Sequence, residues 1–209
     1  MTPRLLPDGA AAPASSPAPA ADSVSGFQAQ LVRAARDRAG AWDAVADVLC
    51  PPDERTTERL RSGEIGDSWR LAARWLEADA ELFVTDLIAL DAYVRAARRR
   101  RPEDDLVALR QDFEQLVAPA GDLADPARAV ADLCRREAAA WEAGDSPGAR
   151  ELRTSERELL EASLVPVLPD VGRRLAAEAR ATVWRTLGRL VLAVLSVESG
   201  TDYRSEVSS

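Results

Sequence analysis

The stretch Glu103–Gly121, EDDLVALRQDFEQLVAPAG, sets the period for the whole chain. Its apolar residues Leu106, Leu109, Phe113, Leu116 and Val117 recur at helical spacing and line one face of a helix. Pro102 suits the first helical turn, where a missing N–H leaves nothing unpaired. Pro119 and Gly121 end the helix, one by lacking a donor and the other by permitting a left-handed turn. Arg110, Asp112 and Glu114 are expected on its polar face.

The same period extends in both directions. Leu31, Ala35, Trp42, Val45 and Leu49 predict a long amphipathic helix from Ser25 to Leu49, ended by Pro51 and Pro52. A short helix over Glu54–Arg61 closes at Gly63. Ile65, Trp69, Ala72 and Leu76 mark a third helix. Phe83, Leu87, Leu90, Val94 and Ala97 mark a fourth, whose stripe Val84 and Ile88 widen as if it were packed on two sides. Asp125-Pro126 and Ser146-Pro147 read as helix starts, an N-cap followed by proline. Leu164–Pro169, bracketed by Pro166 and Pro169, reads as a bent connector. Asp170 to about Val197 reads as one long central helix. No segment alternates with period two. The expected fold is an all-α, single-domain bundle of about seven to nine helices without a β-sheet. Its limits are an Ala/Pro/Ser-rich disordered tail over residues 1–23, a helical domain over 24–198 and a frayed tail over 199–209.

Composition narrows the chemistry. Of 209 residues 46% are hydrophobic, enough for a substantial core, and the net charge is -8. An acidic surface opposes broad nucleic-acid binding and favours basic partners, including arginine-bearing peptides. There is no histidine, which removes Ser–His and Cys–His nucleophile pairs, His-ligated zinc and the Glu-x-x-His di-iron site. Glycine-rich phosphate loops are absent from the sequence, so no enzyme, cofactor or metal is expected. Cys50 and Cys134 stand alone and suit a reducing cytoplasm as small core hydrophobes. Prolines interrupt every apolar run of the N-terminal tail, which rules against an export signal. The apolar run around Leu190–Val197 falls short of the roughly 20 residues a membrane span needs. Asp104-Asp105 and Glu156/Glu158 read as solvated helix surface, and Arg98–Arg101 as a basic turn complementing a helix dipole.

Three segments then carry a resemblance: Trp42–Glu54, WDAVADVLCPPDE, with its Pro-Pro-acid exit; Leu109–Gly121, LRQDFEQLVAPAG; and Glu137–Asp145, EAAAWEAGD, followed by Leu159-Leu160, Val167-Leu168-Pro169 and Val183-Trp184. In this order and spacing the chain resembles the TorD/DmsD/NarJ family of redox-enzyme maturation chaperones over roughly residues 28–197. The Asp-His signature of that family is missing, with Asp125 the nearest aspartate and Pro126 in place of the histidine, and the segment from Gly121 to Asp125 is shorter than usual.

The resemblance implies a cytoplasmic chaperone, monomeric or homodimeric, that is not an enzyme. It would assist folding and molybdenum-cofactor insertion of a molybdopterin oxidoreductase catalytic subunit and, for an exported client, shield its twin-arginine signal peptide. It points to Phe113, Leu116, Val117 and Pro119 as a groove wall, with Arg110 in the same motif and Asp112 and Asp125 as arginine partners. Ordinary core packing is the alternative for Phe113, Leu116 and Val117. The alternative function is a helical adaptor or transcriptional regulator binding protein or nucleic acid through Arg98–Arg101.

Overall fold

A computed structural model describes residues 20–75 and 80–203. Expectations for residues 1–19 and 204–209, for Leu76 and for the side chain of Phe83 lie outside the described residues. Within them the chain is all-helical: α1 (Ala20–Leu49), α2 (Glu54–Ser62), α3 (Glu64–Trp75), α4 (Ala80–Ala97), α5 (Pro102–Leu116), α6 (Ala124–Glu142), α7 (Ser146–Leu159), α8 (Leu168–Glu178) and α9 (Thr182–Ser199). A 3-10 turn, Ala118–Ala120, follows α5, and a π-helical turn, Leu160–Leu164, extends α7. No strand occurs among the described residues. None of the described helices is long and apolar enough to cross a membrane.

The longest helix, α1, packs along α6. Arg36 reaches Glu142, Asp43 accepts from Arg135 at 2.7 Å, and Cys50 meets Arg128, so the two helices run antiparallel. Trp42, Val45, Val130 and Ala131 are fully buried in this seam. The first helix begins at Ala20, inside the stretch expected as tail. At the other end Gly200 caps α9 in the left-handed conformation, and Ser196 Oγ accepts from the Tyr203 amide at 3.0 Å. The tyrosine packs against the core, so the chain is anchored to Tyr203 rather than frayed from Ser199.

The expected long terminal helix is two helices. Ala179 and Ala181 adopt extended backbone, and α9 doubles back on α8. No glycine or proline marks the break; Asp112 makes it. Its carboxylate, 2% exposed, accepts from the backbone amides of Arg180 at 3.1 Å and Ala181 at 2.8 Å, supplying acceptors that a continued helix would have supplied itself. Two glycines let the pair close: a Cβ on Gly188 would sit 2.7 Å from the Ala176 amide nitrogen and 2.8 Å from the Gly172 carbonyl oxygen.

Several surface expectations are corrected by burial. Asp112 lies on the inner face of α5, not its polar face. Asp105 is buried as well, accepting from Arg100 Nε at 2.9 Å and from the Tyr93 hydroxyl at 3.4 Å. Glu156 is 1% exposed, whereas Glu158 is solvated. Conversely, Val84 and Ile88 are exposed, so α4 is packed on one side only. Arg98 does more than complement a dipole: it donates to the carbonyls of Arg61 at 2.8 Å and Ser62 at 3.0 Å, while Arg61 donates back to the carbonyls of Ala97 and Arg100. The ends of α2 and α4 are thereby stitched together. The N-cap readings shift too: Asp145 caps α7, with Ser146 inside the helix. At α6 the amides of Ala124 and Asp125 donate to Asp122, so Asp125 is not the cap.

Asp112→Ala leaves two inward-facing amides without acceptors and is expected to cost about 3 kcal/mol in urea unfolding. Gly188→Ala is expected to lose about 1–3 kcal/mol by overpacking. Gly40→Ala, where a Cβ meets open space within a helix, is expected to gain about 0.5–1 kcal/mol in the same measurement.

Candidate functional site

Where α1 stops, Pro51 and Pro52 cannot continue its hydrogen-bond ladder, and the chain turns into α2. Asp53 caps that helix: its carboxylate accepts from the Thr56 amide at 2.7 Å, and the Thr56 hydroxyl accepts from the Asp53 amide at 3.2 Å. The bond from the Thr56 amide and a second from the Thr56 hydroxyl at 2.8 Å hold the Asp53 carboxyl below the usual carboxylate range. Facing this exit, α5 ends in the Ala118–Ala120 turn and Gly121, whose φ of 85° is the left-handed conformation glycine permits. Arg110, in the middle of α5, donates from Nε to the Pro52 carbonyl at 3.0 Å and fixes one segment against the other.

Between them lies a groove with two hollows that share part of their lining. One, of about 360 Å³, is lined by Leu49, Cys50, Pro51, Phe113, Ala118, Gly121, Asp122, Ala124, Asp125 and Arg128. The other, of about 320 Å³, shares Cys50, Pro51 and Arg128 and reaches beneath α2 onto an apolar floor of Leu60, Ile65, Leu109, Val183, Trp184 and Leu187. The floor is rigidly placed, since the Trp184 indole donates to the Leu109 carbonyl at 3.1 Å.

The rim is charged in both signs. Arg59 donates to Asp47 at 2.8 Å and to Glu64 at 2.6 Å, and those carboxylates hold its guanidinium firmly protonated. Arg128 donates to Asp125 at 2.7 Å and to the Cys50 sulfur. Asp47, Asp53, Asp122 and Asp125 give the mouth its acidic character, and Arg55 lines the inner hollow. An apolar floor below a carboxylate-bearing mouth suits a peptide with an aliphatic or aromatic segment beside basic residues. Among the described residues no three Cys, Asp or Glu side chains are arranged to hold a metal ion.

The residues expected at a site divide. Phe113 and Asp125 line the outer hollow, and Pro119 is exposed on the turn whose Ala118 forms its lip. Leu116 and Val117 are buried in the main core and line neither hollow. Arg110 braces the Pro-Pro exit, and both oxygens of Asp112 are committed to backbone amides. The hollows also bring in Cys50, Pro51 and Arg128, to which the family resemblance does not point. The Pro-Pro exit was the available signal, because a forced turn exposes the end of a helix.

No family model, curated protein or solved structure matches the chain.

Both cysteines are free thiols. Burial, opposed by Arg128, pushes the Cys50 thiol up, and deeper burial together with the Glu156 carboxylate pushes Cys134 up further. A raised thiol pKa means less thiolate at neutral pH. Alkylation followed by mass spectrometry should therefore modify Cys50 several-fold more slowly than a free cysteine, with the rate still climbing above about pH 8.5. Cys134 should react only on unfolding.

Proposed function

We propose that this chain is a cytoplasmic maturation chaperone of the TorD/DmsD/NarJ type for the catalytic subunit of a molybdopterin oxidoreductase. It keeps the client folding-competent until the molybdenum cofactor is inserted, and it shields a twin-arginine signal peptide where the client is exported. The chain catalyses no reaction in this role. One observation carries the reading: the Pro-Pro exit and the LRQDFEQLVAPAG stretch, two of the segments on which the resemblance rests, converge on one groove although they lie far apart in sequence. The apolar floor suits a hydrophobic segment, and the mouth carboxylates Asp47 and Asp125, paired with Arg59 and Arg128, would exchange those partners for the arginines of a signal peptide.

The regulator reading has weaker support. Arg98 is committed to the carbonyls of Arg61 and Ser62, and Arg100 to Asp105 and the face of Tyr93, 4.9 Å from its centroid. A phosphate backbone would have to compete with these bonds.

Calorimetric titration of the full chain against molybdoenzyme catalytic subunits encoded beside it, and against their signal peptides, tests the proposal. A saturable complex is expected, weakened about tenfold or more by Asp125→Arg or Ala118→Glu with an unchanged melting temperature. Failure of every such client to bind would sink the chaperone reading. Binding indifferent to both variants would move the client off this groove.

A further inference from the structure

Away from the groove, five charged side chains from four helices meet in a largely buried cluster, with Arg153 at its partly exposed edge. Arg38 on α1 and Glu137 on α6 form an ion pair in which both side chains are below one-tenth exposed. The Trp141 indole, also on α6, donates to the other oxygen of Glu137 at 3.1 Å. Arg153 on α7 grips two carboxylates at once, Glu156 of its own helix at 2.5 Å and Glu198 of α9 at 2.6 Å, each with a side chain 1% exposed. Arg38 Nε lies 3.5 Å from Glu156 Oε1, which joins the two groups. Cys134 on α6 is the remaining titratable side chain facing the cluster.

The charges do not balance. Three carboxylates, Glu137, Glu156 and Glu198, face two guanidiniums, Arg38 and Arg153. An uncompensated charge in a buried site is among the most expensive features a fold can carry. The bonding pattern shows where the mismatch falls: the outer oxygens of Glu156 and Glu198, Oε2 in each, are buried and accept no hydrogen bond. An ionised carboxylate leaves negative charge on such an oxygen with no donor to meet it, and protonation removes that charge.

We infer that the Glu156–Arg153–Glu198 cluster is a pH-sensitive clasp that takes up one proton as pH falls and ties the C-terminal end of α9 to α7 and α1 most tightly while that proton is in place. Glu198 is the carrier. Its carboxyl is raised above the usual range by burial and by the Glu156 carboxylate, with Arg153 opposing, and Glu198 sits in the last turn of α9, one residue before its end. The sign follows from linkage. A carboxyl whose folded pKa lies above its unfolded value adds stability that is full below the unfolded value, about 4.3 for glutamate, and declines as pH rises through the folded value. Deprotonation leaves Glu156 and Glu198 competing for Arg153, and the bond from Arg153 to Glu198 is the one that ties α9 to α7.

Carbon-13 NMR of the glutamate carboxyl carbons in the full chain, titrated from about pH 4 to about pH 9, reads the proton directly. The Glu198 carboxyl carbon should titrate at higher pH than those of the exposed glutamates. Titration of Glu198 together with the exposed glutamates or below them would overturn the inference, and this measurement needs no variant to fold. Glu198→Gln supplies the second arm, because the amide mimics the protonated acid. Amide protection over Val194–Ser199 in wild type should fall with pH relative to the variant, and the urea midpoint should decline with pH less steeply in the variant. A protection ratio and a midpoint slope unchanged by the substitution would show that Glu198 is merely structural.

Discussion

A single buried carboxylate decides the course of the last third of the chain. Residues 170–197 carry an unbroken helical period, and local propensity alone would run them as one rod. Asp112 offers both oxygens to the amides of Arg180 and Ala181, and charge-assisted bonds of this kind are about twice as strong as neutral ones. The elbow that results brings Gly172 and Gly188 together and folds α9 back through the bundle. It also brings Trp184 under α5, where its indole finds the Leu109 carbonyl. The apolar floor of the groove, Val183, Trp184 and Leu187, is the first turn and a half of α9 and therefore depends on that elbow.

This role makes α5 a polar hub within an apolar bundle. Asp105 near its start gathers Arg100, Arg61 and Tyr93. In its middle Arg110 holds Pro52, and near its end the Gln115 carbonyl accepts from Arg174 at 2.6 Å. Apolar contacts along α5 supply most of the burial, but they are not directional. The polar bonds specify which helix end meets which, because an inward-facing carboxylate tolerates few alternative partners.

Periodicity made the helices legible and hid the charges inside them. Apolar residues at helical spacing mark nearly every element, since burying a face is what each helix is for. Asp105, Asp112 and Glu156 occupy inner positions of those same stripes: Asp105, Leu109, Asp112 and Leu116 share one face, as do Ala149, Arg153, Glu156 and Leu160. Arg38 fills the gap that the α1 stripe leaves between Ala35 and Trp42. A reading that assigns charge to the surface misplaces all four, although a charged residue interrupting a stripe is itself the signal of a buried pair. Exposure of Val84 and Ile88 is the converse case, in which an apolar side chain on a widened stripe has nothing to cover it. For the same reason Phe113, Leu116 and Val117 could not be sorted into wall and core: all three keep the period, and only Phe113 borders a hollow.

The groove is made of helix ends rather than helix faces, and that explains both why it exists and why sequence distance concealed it. Two helix faces with apolar stripes close on each other and leave little space. Helix ends cannot, because Pro51 and Pro52 on one side and Ala118–Gly121 on the other break the hydrogen-bond ladder and turn the chain outward. Each lip is braced behind the opening, the first by Arg110 on the Pro52 carbonyl and the second by Arg174 on the Gln115 carbonyl. The arrangement resists closing at its base while the rim, Pro51, Ala118, Pro119 and Gly121, lies outside the α-helical ladders. A fixed floor and an irregular rim are what the proposed binding of an extended client segment would require, with apolar bulk on the floor and positive charge at the mouth.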